Sequence, residues 1–62
     1  MKLFSRRDAA RMLNVSVGTL DRWRLLGSGP VYRKLNGRVL YADQDLQRFV
    51  DNRARVSTRA EA

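Results

Sequence analysis

Cysteine and histidine are both missing from this 62-residue chain. Without cysteine there can be no disulfide framework and no thiolate metal site. Without histidine the commonest metal ligand and the commonest general base are gone. Neither a metal nor a cofactor is expected. Any catalysis would have to run on carboxylates, arginines and tyrosines alone, so an enzyme is not expected either. No stretch approaches the ~20 consecutive apolar residues of a membrane span. The opening "MKLFSRRDAA" lacks the apolar core of a secretory signal. The expectation is a soluble cytoplasmic protein without a membrane partner. A chain of this length buries only ~60% of its unfolded surface. It forms one small domain, with no room for an enclosed cleft.

Positive charge is what the chain has in excess. Lysine and arginine number 13 against 6 acids, a net of +7. The excess is unevenly placed. Residues 1–30 carry Lys2, Arg6, Arg7, Arg11, Arg22 and Arg24 against Asp8 and Asp21, a net of +4. Residues 31–41 carry Arg33, Lys34 and Arg38 and no acid, a net of +3. From residue 42 onward the signs balance. A basic surface of this kind concentrates polyanions, nucleic acid above all.

Local signals divide the chain into helices and one hairpin. Ser5 is a good N-cap, and Asp8 follows at the capping-box position. Phe4 and Ala9 suit a hydrophobic staple. Ala9, Met12 and Leu13 form an apolar stripe at helical spacing, and Asn14 suits the left-handed residue that ends a helix. Ser16 caps a second helix, "VGTLDRWRLL", which Gly27, Ser28, Gly29 and Pro30 terminate. Two short helices joined by "LNVS" make a helix-turn-helix pattern. Asn36-Gly37 between β-prone runs is the strongest short-range hairpin signal. It predicts strands over Val31–Leu35 and Arg38–Tyr41, with Leu35 opposite Arg38, Lys34 opposite Val39 and Tyr32 opposite Tyr41. A third helix starts near Asp43, a plausible N-cap. Leu46, Phe49 and Val50 are its apolar set, and Arg53 lies in its expected last turn. The expected core is Phe4, Leu13, Leu20, Trp23, Val39, Tyr41, Leu46 and Phe49. Residues 1–53 are expected to be the folded domain and 54–62 a flexible tail.

The second helix reads as the part that meets a partner. At 100° per residue, Ser16, Val17, Trp23 and Arg24 fall within about 60° of Leu20. Gly18 and Arg22 fall on the opposite side. A helix of this kind fits the major groove of B-DNA, where its N-terminal half meets base edges. Arg22 is placed to bond a guanine edge or a phosphate. Ser16, Thr19 and the free N–H groups of the first turn are placed to bond phosphates. Asp21 would be repelled by phosphate, so it should face away or pair with an arginine. The candidate recognition set is Ser16, Val17, Gly18, Thr19 and Arg22. The hairpin adds Arg33, Lys34, Asn36, Gly37 and Arg38. Arg38, next to the tip, suits a narrow minor groove or a phosphate.

The order helix, turn, helix, hairpin, helix, with "AARMLNVSVGTLDRWR", the "GP" break, the "NGR" wing and "Y-x-x-x-DL" opening the last helix, resembles a known family. It is similar to the excisionase-like branch of the winged helix-turn-helix superfamily related to MerR regulators. The resemblance runs from about Leu3 to Val50. It implies a mainly α fold with a small β-hairpin, a winged helix-turn-helix of order α-α-β-β-α. It also implies a bacterial or phage-encoded, nucleoid-associated protein that binds double-stranded DNA cooperatively at adjacent sites. Such proteins bend the DNA and steer an integrase toward excision, as recombination directionality factors. Close relatives regulate transcription of mobile elements. By position, Arg22 matches the family's major-groove arginine and Arg38 its wing arginine. Gly18 departs from the pattern: some excisionases carry a long polar side chain there, and its loss shifts readout toward DNA shape.

Other readings stay open at this level. A small transcriptional regulator of a mobile element uses the same residues. A protein-interaction module with a basic face meeting an acidic partner is the alternative of another class. No heptad pattern supports a dimer, so a monomer is expected in free solution, with self-association only on DNA.

Overall fold

The sheet has a strand that the sequence pattern did not suggest. In the computed structural model, which describes residues 1–61 and the side chains of residues 1–53, Leu3–Ser5 forms a strand, β1. It is followed by α1 (Arg6–Leu13), α2 (Val17–Leu26), β2 (Arg33–Leu35), β3 (Arg38–Ala42) and α3 (Asp43–Glu61). The expected order α-α-β-β-α therefore gains a short strand in front. The three strands are antiparallel in the order β1-β3-β2, so the second hairpin strand lies at the centre. "LFS" is too short to show alternation. It becomes a strand because β3 offers it an open edge: Leu3 pairs with Ala42, Phe4 with Tyr41 and Ser5 with Leu40. Beyond the ladder, the Asp43 N–H donates to the Lys2 carbonyl at 2.9 Å. Phe4 thus packs from a strand, against the core cluster that includes Ala9, its expected staple partner.

The helix ends follow the cap residues. The Ser5 hydroxyl accepts the Asp8 N–H at 3.1 Å, and Asn14 closes α1 in the left-handed conformation, φ 60°. Val15 N–H returns to the Ala10 carbonyl, so only residues 14–16 separate the helices. Ser16 accepts the Thr19 N–H to start α2, and Gly27 closes it in the left-handed conformation. A cap of this type is worth about 1 kcal/mol. The chain then turns back closely under α2. A Cβ on Gly29 would lie 2.9 Å from Trp23 Cβ, so only glycine allows that approach. The hairpin turn uses Asn36 at φ 51° and Gly37 at φ 74°, the positive pair of a two-residue turn. Its register is the expected one: Leu35 opposite Arg38, Lys34 opposite Val39. β2 begins at Arg33, so Tyr32 is outside the ladder, yet its ring still meets that of Tyr41 at 6.5 Å.

The core lies between α1, α2, α3 and β3. Ala9, Ala10, Leu20, Tyr41 and Leu46 are its buried centre, and Phe4, Leu13, Val15, Val17, Trp23 and Val39 pack around them. Ala9 and Ala10 are small enough for α1 and α2 to approach closely. Leu20 is wholly buried, worth about 1.5–3 kcal/mol against exposure. Phe49 is half-buried and its ring meets Trp23 at 5.5 Å. Arg53 lies over both rings, 5.8 Å from Trp23 and 5.0 Å from Phe49. The sequence expected a helix end here. Instead α3 continues to Glu61, since neither Gly nor Pro interrupts residues 54–61. Of the expected tail, the side chains of residues 54–61 and the whole of residue 62 lie outside the described residues. Among those residues no helix is long and apolar enough to cross a membrane.

Candidate DNA-binding surface

The N-terminal half of α2 presents a small polar surface. The Ser16 hydroxyl is engaged twice: it accepts the Thr19 N–H at 3.1 Å and donates to Thr19 Oγ1 at 2.9 Å. Its own proton is therefore used. The Thr19 hydroxyl accepts there and keeps its proton to donate outward. Gly18 is exposed. A Cβ added to it would meet only Ser16 Oγ, at 3.9 Å, so nothing in the fold demands glycine at that position. Val17 is half-buried and packs against the core. It supports the helix from beneath, and Gly18, Thr19 and Arg22 are left as its outward surface.

Carboxylates sort the arginines into two sets. Asp21 binds Arg6 and also Arg24, the latter at 3.3 Å. It is turned away from the outward face of α2 and paired, as its charge requires. Asp45, on α3, is buried and holds Arg33 at 3.4 Å. Arg33 was among the expected wing contacts; here it first serves to neutralise a buried acid. Arg22 and Arg38 are exposed and bind no carboxylate among the described residues. Lys34 is exposed too. It stands opposite Val39, which packs against the core.

The wing tip does not stand alone. An open groove of about 620 Å³ separates it from α1 and is lined by Arg6, Arg7, Arg24 and Arg38, together with Ser5 and Gly37. Of the expected wing residues, Gly37 and Arg38 reach this groove, whereas Arg33 is drawn toward Asp45. Arg6 and Arg7 were not among the expected contact residues. The signal was the adjacent pair "RR" in the first turn of α1. Only the fold shows that this turn faces the wing, because β1 ties Ser5 to Leu40.

Arg24 also joins the groove to the core. It lies over the Tyr32 ring at 5.7 Å. Its Nε and the Tyr41 hydroxyl are both buried without a well-formed hydrogen bond. Burial pushes the Tyr41 phenol above its ordinary value, and the Arg24 guanidinium offsets part of that rise. The phenol is neutral throughout the physiological range. Among the described residues no cluster of acids could hold a metal ion.

No curated protein and no solved structure matches the chain. A family model does, that of the helix-turn-helix domain, over residues 3–54. The match takes in both helices of the motif, the wing and the start of α3, and such domains bind double-stranded DNA and are typically not enzymes. With capped helices in tandem, a short turn between them and an exposed arginine on the second, the chain belongs to the helix-turn-helix domain family.

Proposed function

We propose that this protein is an excisionase-type accessory factor. It reads a specific duplex sequence with α2 and holds the flanking DNA with its wing. Neighbouring copies bind cooperatively and bend the DNA, and the complex steers an integrase toward excision. The protein is monomeric in free solution and acts in a bacterial or phage-infected cytoplasm, on the nucleoid.

One observation carries the reading. Arg22 and Arg38 are exposed and bind no carboxylate among the described residues, as is also true of Arg7, Arg11 and Arg48. What sets Arg22 and Arg38 apart is their place, on the second helix of the motif and beside the hairpin tip. An exposed arginine on the second helix of a helix-turn-helix suits a guanine edge, and one beside a hairpin tip suits a minor groove or phosphate. The open edge strand β2 is where an adjacent copy would meet the wing.

The test is selection of binding sites from a randomised duplex library with excess nonspecific competitor. A motif repeated at regular spacing is the expected result. A single or palindromic motif would instead favour a transcriptional regulator. No enrichment would remove sequence-specific reading altogether and favour an acidic protein partner.

A further inference from the structure

The groove between α1 and the wing concentrates charge beyond what the fold neutralises. Four arginines line it, and among the described residues the one carboxylate bonded to any of them is Asp21, which leaves a net of +3. Arg7 and Arg38 have no acid partner among the described residues. Like charges gathered on one concave surface repel one another, and that cost is reversed when an anion enters. The walls suit a particular anion. The first turn of α1 carries the positive end of the helix dipole; Asp8 in the same turn offsets part of it but does not line the groove, and its N–H is already taken by Ser5. Val39 and Leu40 complete the lining and offer apolar contact to sugar carbons. Guanidinium groups bond phosphate oxygens in pairs, where an ammonium acts as a point charge.

We propose that this groove is a phosphate seat, separate from the reading face of α2, that holds the sugar–phosphate backbone of the bound duplex. Arg7 and Arg38 supply the contacts. Arg6 and Arg24 are positioning residues, held in place by Asp21. The inference rests on the DNA-binding reading and adds a second attachment point to it. A backbone contact carries no sequence information, so the seat adds affinity and fixes orientation without choosing the site.

The experiment uses the full chain, a labelled duplex and fluorescence anisotropy over a potassium chloride series. Arg7→Ala is the informative variant, because Arg7 is exposed, without an acid partner among the described residues, and absent from α2; a thermal melt checks that it folds. The slope of log affinity against log salt should become shallower by about 0.9, one phosphate contact. Arg7→Ala combined with Arg38→Ala should lose about twice as much. Both losses should be equal on cognate and random duplexes, and Arg7→Lys should restore the slope. An unchanged slope in Arg7→Ala, with the wild type still binding, would overturn this inference alone. Failure of the wild type to bind any duplex would overturn the DNA-binding reading together with it. A nitrogen-15-labelled chain titrated with inorganic phosphate at constant ionic strength separates the two sources of phosphate. Saturable shifts at Arg7 and Arg38, without a slope change in Arg7→Ala, would assign the groove to free phosphate and overturn the backbone assignment.

Discussion

The two long sides of α2 use the same kinds of residue for opposite ends. On one side Leu20 is wholly buried, Trp23 packs on Phe49, and Asp21 ties Arg24 and Arg6 together. On the other side Gly18 and Arg22 are exposed, with nothing bonded to the Arg22 guanidinium among the described residues. Arg22 and Arg24 are two positions apart, about 200° around the helix. That rotation alone separates an arginine that stabilises the fold from one that is free to meet DNA. The contrast shows that net charge is a poor guide to binding residues. The disposition of the few acids decides which cations remain available.

Damage to the inner side should be the larger effect. Leu20→Ala removes a fully buried side chain from a thin core and should cost about 2–5 kcal/mol of stability. Chemical denaturation would show it, and DNA binding would fall only because the folded fraction falls. Arg22→Ala sharpens the opposite side. Its thermal stability should be unchanged, while cognate affinity drops by about 1–3 kcal/mol if Arg22 reads a base edge. An equal loss on random duplex would make Arg22 a phosphate contact.

Asp21→Asn tests the boundary between the sides. It should lower stability by about 1 kcal/mol, since exposed or half-exposed ion pairs are individually weak. It should also raise DNA affinity at low salt and steepen the salt dependence, because Arg6 and Arg24 would lose their carboxylate. Denaturation and anisotropy on one variant would then move in opposite directions. Affinity unchanged at all salt concentrations would mean that Asp21 is purely structural.

The smallest effect is expected at Tyr41. Its phenol is held above the usual value by burial. The folded state therefore keeps its proton at pH values where the unfolded chain has lost it. Stability from this group is complete below the unfolded value, about 10, and declines as pH rises above that. Tyr41→Phe should flatten the alkaline decline in a denaturation series. At neutral pH it should be neutral or mildly stabilising, because it removes a hydroxyl that lacks a well-formed hydrogen bond and keeps the ring.

Much of this protein was legible residue by residue. Ser5, Asn14, Ser16 and Gly27 end or begin helices through interactions spanning a few positions. Asn36-Gly37 sets the turn because both residues tolerate positive φ, and hairpin register follows from the turn. Rotation about the α2 axis placed Leu20 inside and Arg22 outside. Local chemistry and helical geometry suffice for such features. The tertiary structure decided the rest. β1 exists only because β3 exposes an edge to "LFS". Arg33 turns inward because Asp45, 12 positions away in sequence, is buried and needs a cation. Arg6 and Arg7 face the wing because β1 carries Ser5 to Leu40, and α3 continues past Arg53, whose guanidinium covers Trp23 and Phe49. Each of these depends on which groups meet across the fold, and no spacing along the chain encodes that directly.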